Sequence, residues 1–194
     1  MPDLARRLED RQNIMTAFAR RLLPDQCRWF MLDHMDAFVA APGSGHNHQA
    51  WPGGYLDHLD ELFGVAAVMH RALNDLRPLP FTLSEALLVL WLHDIEKPWK
   101  RLPDGCPRYR PYEQLAAEDP AGLQQRVCRD LDIQLTDEQR NALRYVHGEL
   151  DDYRKDARVA GPLAAFCHNC DYWSARGWHD EPAATGPLPD MLRA

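Results

Sequence analysis

Long apolar runs are missing from this chain: no stretch reaches the roughly 18 residues that suggest a membrane span. Basic charge is short as well, with 22 Lys and Arg against 29 Asp and Glu, for a net charge of −7. That balance argues against sequence-blind binding to nucleic acid, which relies on many cationic contacts to phosphates. It leaves a small phosphorylated ligand open, because a local cluster of cations suffices for one. The five cysteines form an odd set without a small-scaffold spacing. They fit a reducing compartment better than a disulfide framework. The run Met1-Pro2-Asp3-Leu4-Ala5-Arg6-Arg7 is charged and leads into an amphipathic pattern, so no signal peptide is visible. A cytoplasmic protein with no membrane partner is expected.

Strand alternation is also wanting, and no internal repeat is present; helical periodicity dominates. Residues 3–22 read as a helix with Leu4, Ile14, Phe18 and Leu22 inward, and residues 25–40 as a second with Trp29, Phe30, Met35, Phe38 and Val39 inward. Ala41-Pro42-Gly43-Ser44-Gly45 breaks the chain before a third helix at about 55–76. Thr82-Leu83-Ser84-Glu85 is a capping-box start for the fourth, which Pro98 should stop near Lys97. A basic, Pro-rich loop over 98–112 follows. Asp119-Pro120 opens a fifth helix to about 131, Thr136-Asp137-Glu138-Gln139 a sixth to about 149, and Gly161-Pro162 a seventh to about 176. The expected fold is an all-α single domain: N-terminal helices over 1–44, a core over 45–176 and an irregular tail over 177–194. Trp29, Trp91 and Trp173 are expected in the core.

Chemistry concentrates on these helices. His93-Asp94 closes the apolar run Leu87-Leu88-Val89-Leu90-Trp91-Leu92. Adjacent residues point about 100° apart around a helix, so both reach one ion only near a helix end. His58 lies on the core-facing side of the third helix, and Asp171 falls mid-helix in the seventh. Two imidazoles and two carboxylates make a nitrogen/oxygen set suited to Mn, Fe, Co, Ni, Mg or Zn. Two carboxylates balance a divalent ion, and water bound to such an ion is strongly acidified. Lys97, Lys100, Arg101, Arg108 and Arg110 crowd behind the His-Asp pair, where cations would meet phosphate oxygens. Cys167-His168-Asn169-Cys170 lacks a partner pair and reads as buried small apolar groups rather than a zinc site.

The order of a histidine, then His-Asp, then a distant Asp resembles the HD superfamily of metal-dependent phosphohydrolases, over about residues 45–175. His93-Asp94-Ile95-Glu96-Lys97 is similar to that family's His-Asp-Ile-Gly-Lys run, with Glu96 in place of glycine. His48-Gln49-Ala50-Trp51-Pro52-Gly53-Gly54-Tyr55-Leu56-Asp57-His58 resembles the His-x-x-x-x-Gly-Gly-Leu-x-x-His segment of the exoribonuclease-type and phage-type branch, with Tyr55 for leucine. The resemblance implies His58, His93, Asp94 and Asp171 as ligands of one divalent ion, with two not excluded. It implies His48 as a proton donor or substrate contact and Lys97 in catalysis; Glu96, the departure, reads as a general base or a cap of the helix end. Lys97, Lys100 and Arg101 read as phosphate contacts, His147 as a contact to substrate or bound water, and Trp51 as a ring that stacks on a base or plugs a crevice. The implied activity is hydrolysis of a small phosphorylated substrate, most simply a nucleotide. Alternatives are phosphodiester cleavage of a cyclic nucleotide or nucleic-acid ends, and a di-iron oxygenase. A homo-oligomer is left open.

Overall fold

The longest helix packs against four others because its sequence gives it a broad apolar stripe. In the computed structural model, which describes residues 10–45, 48–100, 102 and 109–177, this helix is α4 (Gly54–Leu76), after α1 (Gln12–Ala19), α2 (Asp25–Asp33) and α3 (Met35–Ala40). Leu59, Leu62, Phe63 and Ala66, at i, i+3, i+4 and i+7, are completely buried. Helix α4 packs on α1, α3, α5 (Leu83–Leu92) and α10 (Pro162–Gly177). Between α5 and α10 lie α6 (Lys97–Lys100), α7 (Arg110–Glu118), α8 (Pro120–Asp130), α9 (Asp137–Tyr145) and a 3-10 turn at Leu150–Asp152. No β-strand occurs among the described residues, only an isolated bridge between Arg154 and Ala157. The fold is an all-α bundle, and no described helix is long and apolar enough to cross a membrane.

Helix α5 is buried on every side from Ala86 to Leu92, as an apolar helix must be. Its start is the capping box: Thr82 Oγ1 accepts from Glu85 N, and Glu85 Oε2 accepts from Thr82 N at 2.7 Å. Thr136 and Gln139 cap α9 the same way. Helix α1 has no cap of its own. Asp60, from α4, accepts from the backbone N–H groups of Asn13 at 2.9 Å and Ile14 at 3.0 Å, which locks α1 onto α4.

Several expectations need correction. Helix α1 ends at Ala19, three residues early, with Arg21 at φ +54° after it; residues 3–9 lie outside the described residues. The second helix is two, broken at His34, whose Nδ1 donates to Phe30 O at 2.9 Å in competition with the backbone ladder. The His34 ring then sits among Phe30, Trp99, Tyr109 and Tyr112. The fourth helix stops at Leu92, not Lys97, and Pro98 lies in the first turn of the new helix α6, where its missing N–H costs nothing. Helix α7 replaces the end of the loop expected over 98–112, and α9 stops at Tyr145 rather than 149. Trp29 and Trp173 are 59% and 50% exposed, not core, whereas Trp91 and Trp99 are buried. The tail beyond residue 177 lies outside the described residues.

Candidate metal centre

Three helices bring the predicted ligands together. His58 is on α4, His93 and Asp94 follow α5, and Asp171 is on α10. The backbone opens just after Leu92: Ile95 N bonds Leu92 O, and Lys97 N bonds Asp94 O, in tight turns. That opening lets two adjacent residues serve one point. Gln124 of α8 secures the helix end, its Nε2 donating to His93 O at 3.1 Å.

The distances suit a shared ion. His58 Nε2 lies 3.8 Å from Asp94 Oδ2 and 3.3 Å from Asp171 Oδ1; His93 Nε2 lies 3.1 and 3.5 Å from the same two oxygens. All four ligand atoms fall within 4.8 Å of one another. Donors about 2.1 Å from a common ion stand ~3.0 Å apart at right angles and ~3.4 Å apart at the tetrahedral angle. The observed spacings, 3.1 to 3.8 Å, lie around the tetrahedral value and just above the right-angle one. His93 Nδ1, 2.7 Å from Leu90 O, can only donate there, because a carbonyl only accepts. His58 Nδ1 meets Ser174 Oγ at 3.0 Å. Both Nε2 atoms are buried without a hydrogen-bond partner and aim at carboxylate oxygens. A ring nitrogen facing a carboxylate needs a cation between them, either a proton or a metal ion. These residues can hold a divalent ion.

Burial lowers His58 to about 4, so it stays neutral. Burial also opposes charge on His93, yet Asp94 and Asp171 outweigh it and raise this ring to about 10. Against their own burial, both carboxyls are held well below the usual range, Asp94 by His93 and Lys97 and Asp171 by the two imidazoles. Lys97 Nζ pairs with Asp94 Oδ2.

Around this cluster the other predicted residues are disposed unevenly. His147 is half exposed, its Nε2 3.8 Å from Asp94 Oδ1 and 3.8 Å from Asp171 Oδ2, the oxygens facing away from His58 and His93. Burial lowers its pKa and that of His48, so both are biased towards neutral. The His48 ring lies 5.2 Å from that of His58, with a buried, unpartnered Nε2. Glu96 carries a buried, unpartnered Oε2, and burial followed by the neighbouring Asp94 raises its carboxyl. Trp51 is tied down: its Nε1–H donates to Asp57 Oδ2 at 2.7 Å, and Arg11 holds the other Asp57 oxygen. Lys100 is exposed at the end of α6; Arg101 and Arg108 lie outside the described residues, and Arg110 is exposed at the start of α7.

Gly53 and Gly54 let the loop before α4 close onto the start of the helix. Gly53 adopts φ +84° at the head of α4, and a Cβ on Gly54 would fall 1.9 Å from Gln49 O. The loop bearing His48 therefore lies directly on the start of the helix that carries His58.

Sequence reasoning missed Glu61 and Ser174. Ser174 Oγ donates to Glu61 Oε2 at 2.7 Å, and Gln49 Nε2 donates to the same oxygen at 2.6 Å. Burial raises the Glu61 carboxyl, and the Ser174 donor pulls it back. Their signal was spacing: Glu61 is i+3 from His58, and Ser174 is i+3 from Asp171, so each shares a helix face with a ligand. His168 proves to be a brace, its Nδ1 2.8 Å from Val146 O beside His147. Cys167 and Cys170 are completely buried, and burial pushes the Cys170 thiol up to about 12, far from a zinc thiolate.

Comparison of the chain with protein-family models, with curated proteins and with solved structures finds no match.

Proposed function

We propose that this chain is a metal-dependent phosphohydrolase of the HD superfamily type, acting on a small phosphorylated substrate, most simply a nucleotide. The observation that carries the reading is the spacing of the four ligand atoms, 3.1–3.8 Å across the imidazole–carboxylate pairs, assembled from three separate helices. A divalent ion in that position supplies an acidified water and a Lewis acid for a phosphoryl oxygen. Charge bookkeeping supports the substrate class. Asp94 and Asp171 contribute −2 and Lys97 +1, so the cluster with a dication is net positive and favours an anion. Lys97 sits at the cluster's edge, where an ammonium can meet a phosphate oxygen. His147 presents a neutral imidazole from the more exposed side, suited to contacting substrate or taking a proton. Glu96, buried with its oxygen unpartnered, is suited to proton transfer.

Metal-stripped protein reloaded with Mn2+ or Co2+ should release phosphate or pyrophosphate from a nucleotide panel, and Asp94→Ala should abolish both metal retention and turnover. A panel without turnover, with metal content verified by elemental analysis, sinks the hydrolase reading. A labelled oligonucleotide in the same assay tests the phosphodiesterase alternative, which the acidic charge disfavours. One observation favours a dinuclear reading: His147 faces the outer oxygens of both carboxylates. Two irons per chain with oxygen consumption would support the oxygenase form.

A further inference from the structure

We infer that Glu61 and Ser174 are positioning residues that hold His58 in its Nδ1–H tautomer and so present a bare Nε2 to the metal. The inference rests on the metal-site reading above and adds a control element to it. Ser174 is fully buried, and its hydroxyl has a single proton to give. Glu61 Oε2, 2.7 Å away, already accepts from the Gln49 amide, so it takes the Ser174 proton as well. The remaining role of Ser174 Oγ towards His58 Nδ1, at 3.0 Å, is that of acceptor. His58 must then carry its proton on Nδ1. Its Nε2 lone pair is left pointing at Asp94 and Asp171.

The chain Gln49–Glu61–Ser174–His58 also crosses elements. Gln49 belongs to the loop of His48 and Trp51, Glu61 and His58 to α4, and Ser174 to α10, three residues beyond Asp171. The same hydrogen bonds that select the tautomer therefore set the distance between the two ligand-bearing helices. His93 needs no such relay, because the Leu90 carbonyl on its own helix fixes its tautomer. His58 stands in the second turn of α4, and its orienting partner comes from α10 instead.

The test combines nitrogen NMR of the metal-free protein with Mn2+ affinity by competition against a chelator. In the wild type, long-range proton–nitrogen correlations should place the His58 proton on Nδ1. Ser174→Ala should shift it towards Nε2 and weaken Mn2+ binding by about 10- to 100-fold, the usual effect of removing a group that orients a ligand. Ser174→Thr, which keeps the hydroxyl, should restore affinity. Glu61→Gln, which keeps an acceptor but loses its charge, should give a smaller loss. A wild-type His58 protonated on Nε2, or Ser174→Ala binding Mn2+ as tightly as wild type, overturns the inference and leaves the metal site standing. Wild-type protein that binds neither Mn2+ nor Co2+ overturns both. Should Ser174→Ala fail to fold, the wild-type tautomer and the Glu61→Gln affinity decide the matter.

Discussion

Loading this site with a divalent ion should expel a proton, and the number can be worked from the geometry. His93 gives its Nδ1–H to Leu90 O, and its Nε2 faces Asp94 Oδ2 at 3.1 Å and Asp171 Oδ1 at 3.5 Å. Burial works against a charged ring, but the two carboxylates raise it to about 10. Near neutral pH the metal-free site thus holds a proton on the nitrogen the ion needs. His58, kept neutral by burial down to about 4, adds none. Between roughly pH 7 and 9, apparent affinity for Mn2+ should rise about tenfold per pH unit, or ~1.4 kcal/mol. Calorimetric titration in two buffers of different ionisation enthalpy counts the protons directly, and about one per ion is expected. Affinity that stays flat across this range, with no buffer dependence, refutes the reasoning. The sign for the fold follows from the same shift. A raised histidine stabilises the metal-free protein fully below its unfolded value of 6.5, and that contribution drains away as pH climbs towards about 10. Saturating Mn2+ should flatten the loss.

Two further variants probe the scaffold. Gly54→Ala would drive a Cβ into Gln49 O, a backbone atom that cannot rotate aside. It should lower stability by at least ~2 kcal/mol in urea unfolding and weaken metal binding by moving His58, since backbone collisions are among the severe classes of substitution; an unchanged midpoint would show that the loop does not rest on the helix as described. Thr82→Ala removes one half of the capping box on α5 and should cost about 1 kcal/mol while leaving Mn2+ affinity unaltered, because the cap stands at the far end from His93; a larger loss of affinity than of stability would contradict that separation.

The sequence made the four candidate ligands legible through their order along the chain, and the capping boxes of α5 and α9 through their local spacing. What escaped it depends on distant partners. Trp29 has the helical spacing of a core residue, yet nothing local reveals that no described element covers it. The break at His34 arises from an imidazole bonding its own helix and settling among aromatic rings drawn from α2, α6, α7 and the residue before α7. Pro98 read as a stop signal, although proline serves equally well in the first turn of a new helix. Glu61 and Ser174 belong to no motif and acquire meaning only once α4 meets α10.

The meeting of α4 and α10 has a thermodynamic corollary. His58 and Asp171 face each other from helices far apart along the chain, as do His58 and Ser174, which are separated by 116 residues. An ion gripped by both behaves as a reversible staple closing a very long loop. An ion that binds only the folded chain stabilises it by mass action, about 2.7 kcal/mol at a hundredfold excess over its Kd. Stripping the ion from loaded protein would then lower the folded fraction.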